Sequence, residues 1–182
     1  MNVEQDATGY VLSLMALSAR TAPKGKGVDS LAISGVRGHD LNRLSDAMRE
    51  FGEEYNLAFF KRDAGNIESA DACLLIGARG NEPVGVNCQG CGYSSCQAMA
   101  EEYRSRDIGG IPFRGPNCVV KMADLGIAVG SAVKTASILN MDNRVMYSAG
   151  VGGLLLGWLG ECTVAYGIPL KGAGKNIFFD RG

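Results

Sequence analysis

The chain has little of what most catalytic sites are built from. Among 182 residues there is one histidine, His39, and one tryptophan, Trp158. His39 stands between Gly38 and Asp40 and reads as an exposed turn residue before a helix. A histidine-based triad and a histidine zinc site therefore lack their material. No stretch matches G-x-G-x-x-G or the P-loop pattern, so a dinucleotide or nucleoside triphosphate would lack its usual glycine-rich cradle. Charge is balanced, with 18 basic and 19 acidic residues and a formal net charge of -1. No basic surplus favours nucleic acid, and no polybasic run favours an anionic membrane. Glu4 and Asp6 stand where a secretory signal needs positive charge, and no apolar core precedes a cleavage site. The most apolar stretches, residues 123–136 and 151–159, are too short or too glycine-rich to span a bilayer. A soluble, cytoplasmic protein is expected, working on a small molecule or another protein.

Cysteine is what the chain does have. Three of its six cysteines fall within nine residues, Cys88, Cys91 and Cys96, and Cys118 follows after a gap of twenty-one. In a reducing compartment such clustered thiols read as metal or redox ligands rather than disulfides. A cubane iron–sulfur cluster needs thiolates from directions that no regular helix or strand supplies. A loop with small residues can wrap one. Gly90 and Gly92 flank Cys91, where backbone must pass close to inorganic sulfide and turn its amides toward sulfur. Cys118 follows Pro116 and Asn117 at an expected helix start, and Cys96 lies near the start of the preceding helix. Both positions favour an anionic ligand.

The expected ligands of one [4Fe–4S] cluster are thus Cys88, Cys91, Cys96 and Cys118. Structural zinc stays open as an alternative, although all-cysteine zinc sites more often pair two short-spaced doublets. Cys73, inside an apolar strand, and Cys162, at a strand start, read as small core residues, with either able to replace Cys118 as fourth ligand. The cluster reading needs no acid–base catalyst, and catalytic residues are left unassigned. Arg20, Lys24 and Lys26 surround a glycine-bearing loop. They could contact a phosphate or simply be solvated.

The hydrophobic pattern predicts a helix over 4–19, with Ala7, Val11, Leu14 and Ser18 on its inner face, widened by Tyr10, Met15 and Leu17. A strand follows over 30–36. A helix opens at Asp40 as N-cap and runs to about 55. A strand buried on both faces is expected over 72–77. Ser94 or Ser95 caps a helix reaching about 104, and a connector over 109–116 leads to a long apolar segment at 117–140. Within that segment only Lys121, Asp124 and Lys134 are charged, which suits a central helix or a homodimer interface. A helix over 143–156, a strand over 162–168 and a tail over 171–182 complete the chain. Strands and helices mix without a βαβ rhythm, so the class is α+β. One domain over 1–182 is expected, with a cluster-binding insertion at 84–118.

Three resemblances add to this. Cys88-Gln-Gly-Cys-Gly-Tyr-Ser-Ser-Cys96 resembles the four-iron motif of the Rnf electron-transport B subunit and that of the corrinoid iron–sulfur protein. In both families a distant fourth cysteine follows, usually closer than Cys118 stands here. Arg20-Thr-Ala-Pro-Lys-Gly-Lys-Gly27, the cysteine loop and the closing Gly167-Ile-Pro-Leu170 with Gly174-Lys-Asn-Ile-Phe-Phe-Asp-Arg181 are similar to a bacterial and archaeal family described only as containing a ferredoxin domain. That likeness supplies no activity, because the family's function is not established. Ala19-Arg-Thr-Ala-Pro23, the helix opening at Asp40, the segment 124–140 and Tyr166-Gly-Ile-Pro169 resemble the core of flavin-dependent nitroreductases. This implies a nitroreductase-like fold with a mixed sheet flanked by helices, and an intertwined homodimer. It also implies FMN as an alternative cofactor, with Arg20, Lys24 and Lys26 near its phosphate. The nitroreductase Arg-Arg-Ser-type opening is missing, and Lys24 to Gly27 replaces the polar loop that would touch the flavin.

Overall fold

The all-apolar segment Ala72-Cys-Leu-Leu-Ile-Gly-Ala78 sits at the centre of the molecule as a strand, and every one of its residues is buried. The computed structural model that shows this describes residues 3–106 and 112–179. Parts of the expected 109–116 connector and 171–182 tail lie outside the described residues. Four strands form one sheet: β1 (Leu31–Arg37), β2 (Ala72–Ala78), β3 (Asp142–Asn143) and β4 (Val164–Lys171), in the order β1-β2-β4-β3. Leu74 lies opposite Gly35 on one side and Ile168 on the other, which sets the register of the three long strands.

Because side chains alternate along a strand, β2 feeds two cores. Leu74 and Ile76 join Val11, Met15, Leu125 and Ala132 on one face. Cys73 and Leu75 join Leu44, Met48, Phe60 and Ala149 on the other. The first face is covered by α1 (Val3–Thr21) and α5 (Val119–Ile138). The second is covered by α2 (His39–Glu54), α3 (Ala58–Ser69) and α6 (Tyr147–Leu155). A shorter α4 (Cys96–Ser105) follows the cysteine loop.

The α+β class holds, but the pairings among the described strands are all antiparallel rather than mixed. For the β1–β2 pair the cause is α3, a helix absent from the expected elements. One helix between β1 and β2 would return the chain parallel. Two helices in succession, α2 and α3, reverse it once more. The signal for α3 was present, since Phe60, Ala64 and Ile67 recur at helical spacing and are all buried.

Two local expectations also change. The buried stripe of α1 runs through Thr8, Val11, Leu12, Met15 and Ala19, while Tyr10, Leu14 and Leu17 stand exposed. Both stripes of this helix are apolar, so periodicity alone did not say which one the sheet takes. Gly38, at φ 58°, is the N-cap of α2, and Asp40 is the second residue of its first turn, paired with Arg43 at 2.9 Å. An acidic side chain still stabilises that helix end through the dipole. Trp158 packs beside the second core with the Arg43 guanidinium 5.2 Å from its ring centre.

Candidate metal centre

The cysteine loop is folded by its own side chains. Ser95 caps α4 by accepting the Ala98 amide at 3.1 Å, which fixes Cys96 as the first helical residue. Asn87 clips the far end of the loop to the same residue. Its amide donates to Cys96 Sγ at 3.4 Å, and its Oδ1 accepts the Cys96 amide at 2.8 Å. Asn87, Gln89 and Gly92 all take left-handed φ values, of 48°, 61° and 83°. The resulting bends keep the segment from becoming a strand and leave Cys88 exposed and Cys91 and Cys96 half-buried.

Cys118 reaches the same region by another route. It is the N-cap of α5, only 4% exposed. Its amide donates to the Gly80 carbonyl at 2.7 Å. Thr163 Oγ1 accepts the Gly80 amide at 3.0 Å and lies 2.6 Å from Asn117 Oδ1, so a buried polar net joins β2, β4 and the start of α5. Loop and helix meet at Gly90. A Cβ there would stand 2.7 Å from the Val119 side chain and 3.7 Å from Cys88 Sγ, so only glycine permits this approach.

Among the described residues, no three His, Cys, Asp or Glu side chains converge as ligands of one metal ion. The chemistry of the donor set nonetheless suits a soft, thiolate-bound centre. Two of the four sulfurs start helices, and one already receives an amide hydrogen bond, the interaction that tunes iron–sulfur potentials. The two remaining thiols are different. Burial pushes Cys73 up to about 12 and also raises Cys162, which holds both as neutral thiols in the core.

The basic loop expected to meet a phosphate is occupied by internal partners. Arg20 pairs with Asp29 at 2.5 Å and donates to the Leu31 carbonyl at 3.0 Å. Lys24 Nζ donates to the carbonyls of Arg20 and Ala22 at 2.5 and 2.8 Å, closing the C-terminal end of α1. Lys26 is exposed at φ 55°. The loop does lie beside the cysteine segment, because a Cβ on Gly25 would meet Val120 at 2.5 Å and Val84 at 3.5 Å. Two buried residues hold it there: Lys121 donates to the Val28 carbonyl at 2.8 Å, and Asp124 accepts the Gly25 amide at 2.9 Å. In the sequence they stand as two of the three charges in an apolar segment. Their opposite signs at i and i+3 were the signal that they act together.

A family model described as "Uncharacterized protein containing a ferredoxin domain (DUF2148)" matches residues 114–181, a stretch that includes Cys118. An uncharacterized protein of Archaeoglobus fulgidus is 45% identical over 168 residues, covering 92% of this chain and 88% of its own. The chain belongs to this ferredoxin-domain family. The fold of this member is that of the nitroreductases. A nitroreductase with bound FMN from Desulfitobacterium hafniense superposes with a TM-score of 0.57 at 13% identity, covering 91% of this chain and 78% of that one. A BluB-like flavoprotein from Clostridium difficile gives 0.54 at 15%, covering 91% and 84%. Nitroreductase A from Vibrio parahaemolyticus gives 0.56 at 14%, covering 92% of this chain, which spans 59% of that enzyme's length. Among the described residues, no helix is long and apolar enough to cross a membrane.

Proposed function

We propose that this protein is a soluble, cytoplasmic iron–sulfur protein that holds one [4Fe–4S] cluster on Cys88, Cys91, Cys96 and Cys118. It would pass single electrons between a redox partner protein and a small-molecule or protein acceptor. The observation that supports this most is the Asn87 amide on Cys96 Sγ, in a loop whose Gly90 abuts the helix that Cys118 caps. A cluster bound there supplies one-electron transfer. The chain's own residues would do the rest. The Asn87 amide and two helix N-termini stabilise thiolate charge, and Val119 beside Gly90 and half-buried Tyr93 restrict water.

Anaerobic reconstitution tests the proposal. Iron and sulfide in the cubane ratio, with a matching electron paramagnetic resonance signal after reduction, support it. Serine at any of the four positions should then lower iron content, while serine at Cys73 or Cys162 should not. Protein that takes up no iron, or that holds zinc when oxygen is excluded throughout, sinks it, and the zinc result would favour a binding module without redox activity.

A second reading, an FMN-dependent reductase using the cluster as a one-electron relay, is favoured by the shared fold and by the basic loop lying beside the cysteine loop. The flavin would supply hydride chemistry. Arg20 and Lys24 would first have to leave Asp29 and the α1 carbonyls to meet a phosphate. Titration with FMN, followed by quenching of its fluorescence, decides this; no quenching at micromolar protein removes the flavin. A homodimer belongs to either reading. Tyr10, Leu14 and Leu17 line one exposed stripe of α1, and Ile127 and Ile138 stand exposed on the neighbouring α5.

A further inference from the structure

Two opposite charges inside the most apolar helix need a reason. Lys121 is 1% exposed and Asp124 is 3% exposed. Their charged atoms lie 3.8 Å apart, too far for a hydrogen bond, and Asp124 Oδ2 has no hydrogen-bond partner. A buried pair this loosely coupled does not compensate its own desolvation, and a hydrophobic pair would serve stability better. Both side chains are instead committed to one segment. Lys121 Nζ donates to the Val28 carbonyl, and Asp124 Oδ1 accepts the Gly25 amide. The loop's own backbone bonds, Gly27 to Lys24 and Val28 to Gly25, only close it on itself. Its hydrogen bonds to α5 run through these two side chains.

The position of the pair along the helix is what gives it consequence. Cys118 caps α5, and Lys121 and Asp124 follow about one and two turns later, roughly 4.5 and 9 Å along the axis. On the same stretch, Val120 packs on Gly25 and Val119 on Gly90. One rigid helix end thus carries a thiol of the metal site, the wall of the cysteine loop and both anchors of the basic loop.

We propose that Lys121 and Asp124 are positioning residues that make the order of the Lys24–Val28 loop depend on ligation of Cys118. This rests on the reading of Cys118 as a cluster ligand. Ligation holds the first turn of α5, the anchors stay in register with Gly25 and Val28, and the loop is closed. Loss of ligation lets the helix end fray, and both anchors lose their loop partners together. Lys24 and Lys26 then leave their fixed places beside the cysteine loop.

Trypsin reads this directly, because it cuts after Lys24 and Lys26 only when the loop opens far enough to become extended. Full-length protein is compared loaded and after chelation has stripped the cluster. Cleavage after Lys134, farther along α5, serves as control. Stripping the wild type, or substituting Cys118→Ser, should speed cleavage at Lys24 and Lys26 by about tenfold, the effect expected from losing a charge-assisted hydrogen bond in a local opening. The double variant Lys121→Met, Asp124→Leu removes both charges and so leaves neither buried alone. It should hold iron as the wild type does, yet be cut at the faster rate whether loaded or stripped. A role in stability alone would leave the loaded-to-stripped ratio unchanged, and that result overturns the proposal. So does a wild type cut equally in both states, a comparison that needs no variant to fold. Failure of the cluster reading shows separately, as protein that takes up no iron, and it removes the ligation this coupling requires.

Discussion

Six cysteines in one chain have three environments, and their thiols should behave accordingly. Burial pushes the Cys73 thiol up to about 12, so it stays neutral at pH 8. In metal-free protein, an alkylating reagent should modify Cys88 within minutes and leave Cys73 untouched until denaturant is added, as peptide mass spectrometry would show. The same shift makes Cys73 a source of alkaline sensitivity. Its folded value lies above the unfolded one, so its contribution is complete below about pH 9 and is lost as pH rises toward 12. Urea unfolding of the wild type should therefore weaken between pH 8 and 10 more than that of Cys73→Ala. Equal slopes would show that folding does not raise the Cys73 thiol. Asn87 is the other residue to test. Asn87→Ala removes the side-chain acceptor for the Cys96 amide, and should speed loss of iron to a chelator severalfold. The cysteines and glycines of this loop were legible because their types state their chemistry. Asn87 was not, since its role is a contact with a residue nine positions away.

At the level of elements, close approaches decide what the chain tolerates. Gly150 in α6 lies so near the Ala165 carbonyl of β4 that any side chain would collide with backbone. Gly150→Ala should lower stability by about 3 kcal/mol, measured by chemical denaturation. Thr163→Val removes the hydroxyl that serves the Gly80 amide and Asn117 and should lower it by roughly 1–3 kcal/mol. Because that net holds the strand end that receives the Cys118 amide, the valine variant should also bind iron less tightly. Undiminished iron binding would separate the net from the metal site. Element types were readable wherever pattern and punctuation agreed: β2 from its unbroken apolar run, and α4 from the Ser95 cap. The inner face of α1 was not readable, because Tyr10, Leu14 and Leu17 make as good a stripe as Val11, Met15 and Ala19.

For the whole molecule, that surplus stripe is the feature with consequence. Apolar side chains stand exposed on α1 and α5, and the proposed homodimer would cover them with a second copy of this chain. Light scattering should give twice the chain mass, and Leu14→Glu with Ile138→Lys should give a monomer that keeps its secondary structure. A monomeric wild type at micromolar concentration would overturn the homodimer. The two-helix excursion between β1 and β2 reverses the chain and makes that pair antiparallel, which depends on α3 and on no single residue.

The chemistry of the donor set is legible from residue types alone, since thiol, glycine and cap carry their properties wherever they are placed. The class of fold is legible from the sequence too, because apolar periodicity is local. Packing, by contrast, selects which stripe of α1 faces the sheet and brings Gly90 against Val119. It alone sets Lys121 and Asp124 against the Lys24–Val28 loop. Those outcomes depend on pairs of residues far apart in the chain, and their free energy exists only once the elements have packed.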